Sequence, residues 1–149
     1  MSIECKIEDG PEAGDRDVRN ILCSSKTIAV VGISAKEESP SHKVAKYLLE
    51  HGFKVIGVNP MYDEVLGGKC YPDLKSIPGH VDVVDIFRKL DAIAGVVDEA
   101  IEIGAGTVWM QLGLENEEAA QKARRAGLSV VMNKCIKIEH SRLSGGQTN

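Results

Sequence analysis

No run of apolar residues in this chain approaches the roughly 20 needed to cross a bilayer as a helix. The amino-terminal stretch is acidic where a secretory leader carries a basic segment ahead of an apolar one, so the sequence predicts a cytoplasmic protein. A surplus of positive charge is also missing: 18 Lys and Arg stand against 22 Asp and Glu, a formal net charge of −4. Neutralising a nucleic-acid backbone needs the opposite balance, so neither nucleic acid nor membrane is expected as a partner. A small phosphate-bearing ligand stays open, because a few local donors and a helix N-terminus hold it whatever the net charge.

Cysteines are few and scattered. Cys5, Cys23, Cys70 and Cys135 form no C-x-x-C pair and have no histidine at zinc-ligand spacing, which argues against a structural zinc or a disulfide framework and for free thiols. Two nucleotide signatures are missing as well. Between Val31 and His51 the only glycine is Gly32, so there is no G-x-G-x-x-G, and Asn59-Pro60 stands where a dinucleotide fold places a ribose-binding acid. An NAD(P)-dependent oxidoreductase therefore ranks low, and the absence of G-x-x-x-x-G-K-[ST] disfavours a nucleotide triphosphatase. His42, His51, His80 and His140 form no constellation with a neighbouring carboxylate and a Ser or Cys, and read as surface or capping residues. Asp82 and Asp85 fall on opposite faces of one strand, so they make no catalytic pair.

What is present is a core. Hydrophobic residues make up 43% and charged residues 27% of 149 positions, which suits one packed domain and leaves no room for a second catalytic one. Residues 1–15 are acidic with interspersed Gly and Pro and read as a flexible extension. Residues 16–143 form the domain, and 144–149 form a loose tail. Within the domain, β-branched runs at Thr27–Val31, Lys54–Val58, Val81–Phe87, Thr107–Gln111 and Ser129–Met132 are nearly continuous in apolar character, as in strands buried on both faces. Helical stripes fall at Arg16–Leu22, Ser41–His51, Asp91–Ile103, Glu115–Ala126 and Ile136–Leu143. The segment Met61–Pro78 breaks the alternation and has space for a short helix at Asp73–Ser76. Strands alternating with helices predict a three-layer, doubly wound α/β fold with a mainly parallel five-stranded sheet and helices on both faces.

Ligands of such sheets bind outside the carboxyl ends of the strands. Gly32-Ile33-Ser34 ends the first run, where glycine permits close backbone approach and Ser34 and Ser41 supply hydroxyls, Ser41 as a possible N-cap. A tight turn with a capping serine explains the same residues. Asn59-Pro60 offers donors and acceptors but is also a common turn starter. Phe87-Arg88 sets a ring beside a guanidinium that suits phosphate, or simply faces solvent. Gln111 and Gly113 frame the fourth turn. Asn133-Lys134-Cys135 places one thiol just before a helix, where a thiolate is favoured, although a buried inert cysteine is the ordinary case.

Taken together, the runs VVGIS, VNP, DVVDIFR, DEAIEIGAGTVWMQLGLENEEAA and AGLSVVMNKCIKIEH resemble the stand-alone CoA-binding proteins. That family is similar to the CoA-binding domain at the N-terminus of the succinyl-CoA synthetase α-subunit. The resemblance covers about residues 16–143 and implies a Rossmann-like domain whose ligand is coenzyme A, free or as acyl-CoA. By position, Gly32, Ile33, Ser34, Ser41 and Lys43 would serve the first loop and Asn59 and Pro60 the nucleotide. Phe87, Arg88, Gln111 and Gly113 would line the groove, with Asn133 and Cys135 near the thiol end. The ligases of this kind add a phosphorylated histidine and an ATP-grasp subunit. The resemblance thus implies a carrier, sensor or partner of a larger acyl-CoA-metabolising enzyme, with no ligase activity alone. The alternative is thiol redox chemistry, in which Cys135 forms or exchanges a disulfide with CoA.

Overall fold

The apolar runs become strands because both faces of each find cover. The computed structural model describes residues 13–143, with side chains from residue 18 onward. Helix α1 (Ala13–Ser24) leads into β1 (Thr27–Val31), α2 (Pro40–Glu50) and β2 (Lys54–Val58), followed by β3 (Glu64–Val65) and β4 (Gly68–Tyr71). A 3-10 turn at Leu74–Ser76 precedes β5 (Val83–Ile86), and a second at Leu90–Ala92 runs into α3 (Ile93–Glu102). Strand β6 (Thr107–Met110), α4 (Glu117–Arg125), β7 (Ser129–Val131) and α5 (Ile136–Leu143) complete the order.

Helix ends follow local chemistry. Asn116 caps α4 by accepting from the Ala119 N–H, Glu117 and Glu118 occupy its first turn, and Lys122, Arg124 and Arg125 its last, each sign matched to the helix dipole. Ser39, rather than the expected Ser41, caps α2: its hydroxyl accepts from the His42 N–H at 3.3 Å, and Pro40 fills the first helical position, where no N–H is needed.

The sheet runs β3-β4-β2-β1-β5-β6-β7, and every neighbouring pair is parallel except β3 with β4. From β1 the chain moves outward through β2 to β4, then returns to the other side of β1 to lay down β5, β6 and β7. The order therefore reverses between β1 and β5. One face of the sheet packs Ala29, Val31, Val84 and Ile86 beneath Ile93 and Val97 of α3. The other packs Ile28, Val30 and Trp109 beneath Val18, Leu48 and Ile136, from α1, α2 and α5.

The doubly wound α/β class stands, with seven strands in place of the expected five. The two extra strands form a hairpin at the sheet edge inside 61–78, closed by Leu66 (φ 55°) and Gly67 (φ 77°), both left-handed as a two-residue hairpin turn demands. Of the histidines read as surface or capping residues, His42 and His140 are buried. Cys23 is disulfide-bonded, against the expectation of four free thiols, whereas Cys70 and Cys135 are free and buried; Cys5 lies outside the described residues. Of the expected extension 1–15, only 13–15 are described, as the start of α1, and the tail 144–149 lies outside the described residues.

Two buried groups set opposing pH dependences. Asp85 lies in the middle of the sheet between Val30 and Trp109, fully buried, and neither carboxyl oxygen has a hydrogen-bond partner. Burial pushes its pKa well above 3.8, so the folded chain holds a neutral acid where the unfolded chain ionises. Stability from this group falls as pH rises above the unfolded value. His140 shares a 2.8 Å hydrogen bond with the Tyr47 hydroxyl; burial, with His51 beside it, lowers its pKa from 6.5 to about 4. The folded chain refuses a proton that the unfolded chain takes below 6.5, so this contribution is lost as pH falls from 6.5 to about 4. Replacing Asp85 by Asn removes the first effect and leaves the second. The variant should gain stability over the parent by about 1.4 kcal/mol per pH unit above the unfolded carboxyl pKa, read by urea denaturation at several pH values. A pH-independent difference would mean that Asp85 ionises in the folded chain.

Candidate functional site at the strand ends

The site begins where β1 and β5 end side by side. Gly32 leaves β1 with φ 91°, and its N–H bonds the Val58 carbonyl at 2.8 Å. A Cβ at this position would lie 2.3 Å from the Phe87 carbonyl oxygen and 3.0 Å from Arg88 Cδ. Glycine is thus required both by dihedral and by space. The loop beyond is organised by its own hydroxyls: the Ser34 N–H donates to Ser41 Oγ at 3.0 Å, and the Lys36 N–H to Ser34 Oγ at 3.1 Å. His42 Nδ1 donates to the Ser34 carbonyl at 3.0 Å, which fixes its tautomer. Asn59 ties the end of β2 to this loop, donating from Nδ2 to the Ile33 carbonyl at 2.8 Å while Oδ1 accepts from the Met61 N–H at 2.9 Å.

The opposite wall is fastened just as closely. Trp109 Nε1 donates to the Lys134 carbonyl at 2.9 Å, and the Gly113 N–H to Asn133 Oδ1 at 2.7 Å. Asn133 takes φ 59°, a left-handed conformation that asparagine tolerates. Gln111 Oε1 accepts from the Ile136 N–H at 3.4 Å, a long bond that places the buried glutamine against the first turn of α5. These bonds set Cys135 at the foot of α5.

Between the walls lie two hollows that meet at Phe87 and Arg88. One, of about 590 Å³, is lined by Lys43, Gln111, Cys135 and Lys137 together with apolar side chains from α2, α5 and the loop after β6. It contains three cations, Lys43, Arg88 and Lys137, and no carboxylate. The other, of about 460 Å³, is lined by Gly32, Asn59, Pro60 and Met61, with Asp91 at the start of the following helix. Arg88 is exposed and forms no ion pair among the described residues. A third hollow, of about 620 Å³, runs along edge strand β7 beside α1, lined by Val18, Ile21 and Ser129 among others, away from the switch point. Among the described residues no group of three His, Cys, Asp or Glu is placed to hold a metal.

Of the positions singled out from sequence, Lys43, Phe87, Arg88, Gln111 and Cys135 line the larger groove hollow, and Gly32, Asn59 and Pro60 the smaller. Ile33, Ser34, Ser41, Gly113 and Asn133 line neither; Ile33 is buried under Gly57, and the other four bond within the turns. Sequence reasoning missed Lys137, Ile138, Leu112 and Leu114. The usable signal for Lys137 and Ile138 was their place in the first turn of a helix that starts at the ligand edge.

The CoA binding domain family matches residues 26–141, and the chain belongs to that family. It is 42% identical over 84% of its length to an uncharacterized protein, YneT, of Bacillus subtilis (strain 168), covering 93% of that protein. It is 29% identical over 83% of its length to an ADP-forming acetate–CoA ligase I of Archaeoglobus fulgidus, but spans only 19% of that ligase. A solved structure of a hypothetical protein from Pyrococcus horikoshii OT3 superposes with a TM-score of 0.86 at 48% identity, over 95% of this chain and 99% of the other. No helix among the described residues is long and apolar enough to cross a membrane.

Gly32→Ala should destabilise the fold by at least about 2 kcal/mol, from the left-handed dihedral and the clash with the Phe87 carbonyl together. Gly52→Ala, at φ 92° with nothing within 4 Å of the added Cβ, should lose only about 1 kcal/mol. Equal denaturation midpoints for the two variants would show that the close approach at β1 and β5 carries no energetic weight.

Proposed function

With membership of the CoA binding domain family as the premise, we propose that the protein holds coenzyme A across the β1/β5 switch point. The adenosine end lies over Asn59-Pro60, the phosphates near Arg88 and Lys43, and the pantetheine arm runs past Phe87 and Gln111 toward Cys135. The observation that supports this reading is the pair of hollows joined at Phe87 and Arg88, the larger carrying three cations and no acid in a chain of net charge −4. An elongated ligand with phosphates in its middle and a thin arm at one end fits such a groove, and a charge-assisted hydrogen bond from a guanidinium is among the stronger polar contacts. The proposed role is that of a binding, carrier or sensor module serving a larger acyl-CoA-metabolising enzyme rather than of a ligase by itself. The chain spans about a fifth of the acetate–CoA ligase it matches, which favours this division of labour.

Titration calorimetry should give saturable binding of CoA and none of NAD. Arg88→Ala should weaken CoA binding by roughly tenfold or more, the range for a lost charged hydrogen bond. Absence of heat with every CoA species, or an Arg88→Ala variant that binds as the parent does, would contradict the reading.

A second reading rests on Cys135, a free thiol that lines the same hollow just before α5. In it, the Cys135 thiolate attacks CoA disulfide, a protein–CoA disulfide forms, and one CoA leaves as the thiolate, which takes up the proton that Cys135 lost. Intact mass after incubation with CoA disulfide should show one CoA adduct on the parent and none on Cys135→Ser. Equal adduct on both would place the exchange at another thiol.

A further inference from the structure

The larger hollow is not evenly polar. Lys43, Arg88 and Lys137 account for its charge, and the remainder of its wall is mostly aliphatic: Pro40, Val44, Leu112, Leu114 and Ile138. Leu112 and Ile138 are 59% and 53% exposed, two of the five large hydrophobic side chains most open to solvent among the described residues. Single exposed leucines need no explanation. These two come from different elements, the loop after β6 and the first turn of α5, and converge on one hollow beside Cys135. Both are held there by the bonds that fasten the wall, Gly113 to Asn133 and Ile136 to Gln111, so their exposure is built into the fold.

A free CoA thiol gives such a surface nothing to bury. The pantetheine arm has its polar contact at Gln111, whose Oε1 is engaged by the α5 backbone and whose amide nitrogen is not. An apolar group attached to the sulfur would cover Leu112, Leu114 and Ile138 without leaving donors or acceptors unpaired. We infer that the ligand is an acyl-CoA whose aliphatic chain, longer than acetyl, lies on the Leu112–Leu114–Ile138 surface of this hollow. The inference rests on the CoA reading above. It is continuous with it through the shared hollow, and the cations of the same wall suit the phosphates of the ligand.

The test is a calorimetric series with CoA and acetyl-, butyryl-, hexanoyl- and octanoyl-CoA on the full chain. The dissociation constant should fall roughly fourfold to fifteenfold for each two added carbons until the surface is covered, the range from half to full burial of each methylene. The heat-capacity change should become more negative along the series, the mark of apolar burial. Leu112→Ser and Ile138→Ser alter exposed side chains and should fold; each should flatten the chain-length slope. Affinity that is flat or declining with chain length, while CoA itself binds, overturns the acyl inference alone. That holds also if self-association through Leu112 and Ile138 accompanies it. Failure of CoA and all its thioesters to bind overturns the underlying reading instead.

Discussion

The approach of the β1 end to the β5 end, glycine against carbonyl, is the contact on which the rest of the site depends. With any side chain at position 32, the Phe87 carbonyl would have to move, and Phe87 and Arg88 with it. Those two residues are where the two groove hollows join. The topology explains why the crowding occurs here. Crossovers leave β1 in one direction and return to β5 in the other, so the loops that follow the two strands diverge and a crevice opens above them. Gly32 keeps the floor of that crevice shallow enough for both strands to remain parallel neighbours in register.

Around that floor the protein spends its polar groups on shape. Ser34, Ser41, Asn59 and Asn133 direct side-chain bonds at backbone atoms of the loops, and Trp109 and Gln111 hold the start of α5. Backbone groups satisfied in this way let loops hold fixed positions without regular structure. Asp85 is the exception. It stands two residues below Phe87 on the same strand face, buried and unpartnered, an arrangement that lowers stability in any protein that could hold an apolar residue there. Val83 and Phe87, its neighbours on that face, pack under α1, α2 and α5, and α2 and α5 also form walls of the groove.

Much of this was legible in the residues. Two-sided burial writes a continuous apolar run, and so β1 and β2 appear with the bounds the sequence implies. Strand ends then mark Gly32, Phe87-Arg88, Gln111 and Cys135 as groove residues, because the topology class alone says where the ligand edge is. The β3–β4 hairpin was hidden by its turn, where Leu66 holds the left-handed position that asparagine or glycine would have advertised. The α2 cap was ambiguous in Ser39-Pro40-Ser41, and only the bond to His42 decides it. Lys137 and Ile138 were marked only by their place in the first turn of α5, and their meeting with Leu112 depends on how α5 is seated against the loop after β6, a tertiary relation. The lack of a partner for Asp85 is likewise a property of its surroundings.

The central claim is that one ligand spans both hollows at the switch point, and amide chemical-shift mapping on isotope-labelled protein tests it most directly. Addition of CoA should shift the amides of Gly32, Arg88, Gln111 and Cys135 together, on both sides of Phe87, and leave Ile21 and Ser129 of the hollow beside β7 unmoved. Shifts confined to Ile21, Ser129 and their neighbours would place the ligand on the sheet edge and contradict the account.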